Sequence, residues 1–207
     1  MDVLLRAAAK RLVKADPPCC EPDSLAAETG IDPAIARALL PDTETVLRTL
    51  AESAMRRQLD HLTRRLSRVS DSSPAEQLVA FGKAFVGWAI HNKNDFRVLN
   101  SPLISRVVDG EEIRRYHHGL QQLTVSMLAR ARDQGQLRPD MDPVLLSLVA
   151  RAFTYGLARL CVDNQLQMWK ATPPDQDEES RVLEAVEAYA EIVLFGWNPD
   201  PPTPSDA

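Results

Sequence analysis

Proline and aspartate recur in this chain wherever the first turn of a helix could begin, and this punctuation limits the possible folds more than any other feature. Proline at the first helical position has no amide to leave unsatisfied, and a neighbouring aspartate can accept from the open amides of that turn. A first helix is predicted over 3–14, ended by Asp16-Pro17-Pro18. A second is predicted over 22–29, with Pro22 leading and Gly30 stopping it. Asp32 caps a third that starts at Pro33 and closes at Leu40-Pro41, and Asp42 caps a fourth that runs to about Val69. On the fourth, Met55, Leu59, Leu62, Leu66 and Val69 fall on one stripe at helical spacing, opposite a basic face.

The same pattern continues. Residues 76–92 form a helix carrying Phe81, Phe85 and Trp88, a short element follows around 96–99, and Ser101-Pro102 is read as a break. Ile113, Tyr116, Leu120, Leu123 and Met127 mark a helix that ends at Gly135. Residues 142–169 are apolar almost all round, which a helix tolerates only when both faces are covered, and one cover can be another subunit. A last amphipathic helix spans 178–195, and the proline-rich residues 198–207 are expected to be disordered. Aromatic residues make up only 5% of the chain, and helix formers dominate, so the expected class is all-α with about nine helices.

Charge and cysteine usage narrow the setting. The three cysteines, two of them adjacent at Cys19 and Cys20, make no spaced disulfide framework, and early charges at Arg6, Lys10 and Arg11 interrupt any secretory apolar core. A cytoplasmic location is expected. Arg151 and Arg159 argue against a lipid-spanning role for 142–169, so no membrane partner is expected. The net charge of -5 offers no general attraction to nucleic acid. The basic run Arg56, Arg57, Arg64, Arg65 and Arg68 lacks interleaved aromatics and reads as a solvated helix face. His117-His118 point about 100° apart on a helix, so no metal site is read there, and no catalytic constellation or cofactor motif stands at diagnostic spacing.

One stretch carries a specific signal. In Leu25-Ala26-Ala27-Glu28-Thr29-Gly30-Ile31-Asp32, a small residue lies four before a glycine, and an apolar residue follows at once. The small residue lets two helices cross closely, the glycine permits a left-handed turn, and the apolar residue plugs the joint of a helix-turn-helix. Ala36 and Leu39 are expected to continue the buried face.

With its flanks, this unit resembles the tetracycline-repressor-like (TetR) family. A preceding helix, then Leu40-Pro41-Asp42-Thr43-Glu44 and a long helix opening on Thr45-Val46-Leu47, is similar to that family's N-terminal domain. The stretch 85–92 followed by Phe96-Arg97-Val98-Leu99, and later 153–158 with Asp163-Asn164, resembles its C-terminal helices, so the likeness covers nearly all of 1–197. The resemblance implies a three-helix DNA-binding head over 1–48, a ligand-binding and dimerisation domain over 49–197, and a homodimer joined through the last two long helices. It implies DNA contacts from Ala34, Arg37, Ala38, Thr43 and Arg48 to a double-stranded operator. It also implies an apolar effector site among Phe81, Phe85, Trp88, His91, Phe96, Tyr116, Met127, Arg151 and Tyr155.

The chain departs from the family where DNA would be touched. Arg37 stands where a tyrosine is usual and Thr43 where a lysine is usual. Residues 1–48 hold six Lys or Arg against eight Asp or Glu, a net of -2, whereas many DNA readers are basic there. Two functions therefore stand open: a ligand-responsive repressor reading a palindrome, or a TetR-like dimer that holds a small molecule or protein and no longer reads DNA. A helical enzyme is a weaker third.

Overall fold

The structure, a computed structural model, describes residues 1–14, 20–69, 73–107, 111–137, 139–169 and 175–195. The end of the first helix at Asp16-Pro17-Pro18 and the tail at 198–207 lie outside the described residues. Every regular element among the described residues is helical: α1 (Asp2–Lys14), α2 (Pro22–Thr29), α3 (Pro33–Leu39), α4 (Thr43–Leu66), α5 (Pro74–His91), α6 (Lys93–Leu99), α7 (Pro102–Val107), α8 (Glu111–Asp133), α9 (Pro143–Val162) and α10 (Glu178–Tyr189). A 3-10 turn at Leu166–Trp169 follows α9, and a π-helical turn at Ala190–Phe195 continues α10.

The caps explain the starts. Asp32 Oδ1 accepts from the Ala34 amide at 2.7 Å, Asp42 Oδ1 from Thr45 at 2.7 Å, Asp142 Oδ1 from Val144 at 2.9 Å and Asp177 Oδ1 from Ser180 at 2.8 Å. Each bond satisfies one of the open amides of a first turn.

Two expected boundaries are corrected. Pro102, read as a break, instead opens α7, because a proline that ends one helix is equally suited to the first position of the next. The apolar run 142–169 is not continuous: α9 ends at Val162 and Asn164 turns left-handed at φ 55°, with the Gln165 amide donating to the Leu160 carbonyl at 2.8 Å. Asparagine tolerates this conformation better than most side chains.

Two units make up the chain. The first contains Met1–His61 and Trp88–His118. Its core joins Leu4 and Ala8 of α1, Leu25 and Ala26 of α2, Ala36 of α3, Leu50 and Ala54 of α4, Val98 of α6 and Ile104 of α7. Within it, Arg57 on α4 makes a two-pronged ion pair with Asp95 on α6 at 2.7 and 2.8 Å, and the Tyr116 hydroxyl donates to the buried Gln58 side chain. The pairing with Asp95 raises the Arg57 pKa above its ordinary value.

The second unit contains Leu62–Gly87 and the chain from Gly119 onward. One core there gathers Leu78 of α5, Met127, Leu128 and Ala131 of α8, Leu146 of α9 and Ala190. Gly82 lets α5 approach α10: a Cβ on it would lie 3.0 Å from Val186 Cγ1. Val182 and Val186 form the buried face of α10, as its amphipathic pattern predicts.

On α4 the buried residues include Leu47, Leu50, Ala51, Ala54, Met55, Gln58 and Leu62, whereas Leu59 is exposed. The expected stripe is buried at Met55 and Leu62 but not at Leu59, where polar Gln58 takes the inward place. The basic run Arg56 to Arg68 is solvent-exposed.

Candidate functional site

The joint between α2 and α3 has the geometry of a helix-turn-helix. Gly30 adopts φ 69°, ψ 17°, the left-handed conformation its missing Cβ allows, and the amides of Gly30 and Ile31 both donate to the Ala26 carbonyl. Ala26 and Ala36 are buried at the crossing, and Ile31 packs on that core. Arg11 secures α1 to α2, pairing with Glu28 at 2.6 Å and donating to the Ser24 carbonyl at 2.9 Å.

Leu39 does not continue the buried face. It is exposed, and Leu40 is buried in its place. The helix has only seven residues, and Leu40 leaves it at φ -140°, so the chain swings this next side chain inward. Ala34, Ile35, Arg37 and Ala38 are exposed with Leu39.

The one cation of α3 is engaged within the head. Arg37 Nε meets Asp23 Oδ1 at 2.6 Å and Nη2 meets Oδ2 at 3.0 Å, a fork from α3 back to α2. The Arg37 guanidinium holds the Asp23 carboxyl below the usual carboxylate range. Arg48 pairs through one guanidinium nitrogen with Glu44, one turn earlier on α4. Thr43 is half-buried at the first position of α4, and the nearby Thr45 amide is taken by Asp42.

The expected effector residues fall in both units. Trp88, His91, Phe96 and Tyr116 belong to the first, where Trp88 and Phe96 are buried and His91 is exposed. Phe81, Phe85, Met127, Arg151 and Tyr155 belong to the second. There the Arg151 guanidinium lies 4.5 Å from the centroid of Phe85 and 5.6 Å from that of Tyr155, a cation held on two rings. Sequence reasoning missed the stack of Phe153 on Tyr189, with centroids 4.1 Å apart and planes 7° from parallel. Among the described residues no group of three His, Cys, Asp or Glu could hold a metal ion.

The family described as tetracyclin repressor-like, C-terminal domain, matches residues 78–186, more than half of the chain. The protein belongs to the TetR family. The helix-turn-helix head and the C-terminal helical domain are the family's two parts, and its members are transcription regulators. Similar solved structures share the fold over nearly the whole length. A protein of unknown function from Rhodococcus sp. RHA1 has TM-score 0.70 and 22% identity over 94% of both chains. The ketosteroid transcriptional regulator KstR2 of Mycobacterium tuberculosis has TM-score 0.69 and 17% identity, covering 93% of this chain and 92% of its own. The fatty acid degradation regulator FadR from Bacillus halodurans has TM-score 0.70 and 14% identity, covering 93% and 98%. No curated protein matches the chain in sequence.

Proposed function

We propose that this TetR-family chain is a cytoplasmic, ligand-responsive repressor that binds a palindromic operator as a homodimer. The observation that carries the reading is the α2–α3 joint. The left-handed Gly30 and the buried Ala26 and Ala36 set two helices at a close crossing and leave α3 outward. In such a head, Ala34, Arg37 and Ala38 face the major groove, with Thr43 and Arg48 toward the backbone. Two heads then reach half-sites about one helical turn, ~34 Å, apart.

Dimerisation is assigned to α9 with α10. The first turns of α9 expose Val144, Leu145, Leu148 and Val149, and Ile192 is exposed beyond α10. Large apolar groups grouped on one helix are costly in water, and a second copy is the cover that a twofold regulator needs. Although α9 is long and apolar enough to cross a membrane, its Arg151 lies on Phe85 of α5 and its Arg159 pairs with Asp163 at 2.6 Å.

The effector is an apolar small molecule, with Arg151, which lies over Phe85 and Tyr155 in the second unit, as its polar partner. Two of the similar regulators are named for ketosteroids and fatty acids, in keeping with an apolar ligand. The coupling needs no chemistry: a ligand that favours one C-terminal arrangement shifts α4, and with it the separation of the recognition helices.

One observation favours the second reading, a dimeric binder whose head has left DNA. Arg37 and Arg48 are both engaged by carboxylates of the head. Salt-titrated binding to DNA from the protein's own promoter region separates the two readings, because only the repressor binds it in preference to unrelated DNA.

A further inference from the structure

The outward face of α3 is apolar, which is unusual for a helix assigned to a polar groove. At about 100° per residue, Ala34, Ala38, Ile35 and Leu39 occupy one continuous arc, opposite the buried Ala36 and Leu40. Ile35 is 55% exposed and Leu39 41%. Arg37 stands at the edge of this arc, with both prongs of its guanidinium on Asp23. The arc therefore offers no donor or acceptor to a base, and its nearest donor group already has a carboxylate. Only one feature of a base edge in the major groove is apolar, the C5-methyl group of thymine.

We propose that α3 selects its half-site by packing Ile35 and Leu39 against thymine C5-methyl groups, rather than by hydrogen bonds to guanine or adenine. The inference rests on the DNA-binding reading and specifies what that head recognises. Alanine at 34 and 38 keeps the centre of the arc low, so the backbone of α3 can approach the groove floor. The two larger side chains form one shoulder, and the Arg37–Asp23 fork forms the other. The half-site is then marked by thymines on one strand or on both, while positions without thymine are read weakly.

Deoxyuridine differs from thymidine only by that methyl group, so it tests the claim directly. The operator is located by protection of the protein's own promoter region, and each thymine of a half-site is replaced in turn by deoxyuridine. At one or more positions affinity should fall about fourfold, the value of one buried carbon. Ile35→Ala with Leu39→Ala, at exposed positions and checked for unchanged helicity, should bind thymine and deoxyuridine operators equally. Unchanged binding by the wild type when every half-site thymine is deoxyuridine overturns the inference but leaves the repressor reading standing. A thymine preference that survives in the double variant also overturns it. Failure to bind any DNA at low salt overturns both.

Discussion

Arg37 on the recognition helix and Asp23 on the preceding helix form a two-pronged ion pair, at 2.6 and 3.0 Å, across the turn that should present the head to DNA. Both groups are well exposed, so the pair contributes little to stability and much to how the head appears to a phosphate. Asp23→Asn should leave thermal stability nearly unchanged and free the guanidinium. Because each added phosphate contact steepens the log–log salt slope by about 0.9, the variant dimer should gain roughly two units of slope and bind more tightly at low salt. Fluorescence anisotropy across a salt series checks this, and an unaltered slope would show that Asp23 does not restrain Arg37.

The apolar turn of α9 predicts self-association. Equilibrium sedimentation should find a dimer at micromolar concentration, and Leu145→Glu with Leu148→Glu should shift it to monomer while circular dichroism stays helical. Both side chains are more than half exposed in the single chain, so the substitutions should cost the monomer little. A wild-type monomer under those conditions would remove the dimer from the account.

Tyr189 is stacked on Phe153, but its buried hydroxyl has no hydrogen-bond partner among the described residues. Tyr189→Phe keeps the stack and removes the unsatisfied group, so it should stabilise the fold by about 1 kcal/mol. Burial pushes the Tyr189 phenol above its ordinary value. Below pH about 10 the folded and unfolded chains both keep that proton. As pH rises past that value the unfolded chain loses it first, so the folded state loses relative stability until its own raised value is passed. This alkaline loss should be smaller in Tyr189→Phe, as measured by urea melts at pH 8 and above pH 10.

Close packing at Gly82 is the second stability test. A Cβ there would already press on Val186, and the two further carbons of valine have no room without moving α10 from α5. Gly82→Val should cost about 1–3 kcal/mol, while Val186→Ala in the same chain should recover part of that loss. A melting temperature unchanged by Gly82→Val would contradict this packing.

Most helix starts were legible because an Asp or Pro acts within its own first turn: Asp32 and Asp42 cap where the sequence places them. Local chemistry was ambiguous at Pro102, which can end a helix or begin one, and at Asn164, whose left-handed turn splits an apolar run. In and beside the short helix α3, apolar residues at 31, 35, 36, 39 and 40 cannot all face inward, and sequence spacing chose Leu39 where the structure buries Leu40. The Arg37–Asp23 fork joins residues fourteen apart on two helices, so no local periodicity could reveal it. The effector site came from the family resemblance, and most of its residues are aromatics, which a core and a ligand site share, so the pattern could not say which of the two each serves.

Binding to promoter DNA measured against salt decides whether this head reads DNA. Binding to DNA from the protein's own promoter region should be saturable and preferred over unrelated DNA of equal length. Because Arg37 and Arg48 are engaged by Asp23 and Glu44, the log–log salt slope should fall well short of the roughly 10 found for a strongly basic repressor. Absence of binding even at low salt, or equal affinity for unrelated DNA, would contradict the repressor reading and leave the protein as a TetR-like binder that does not read DNA.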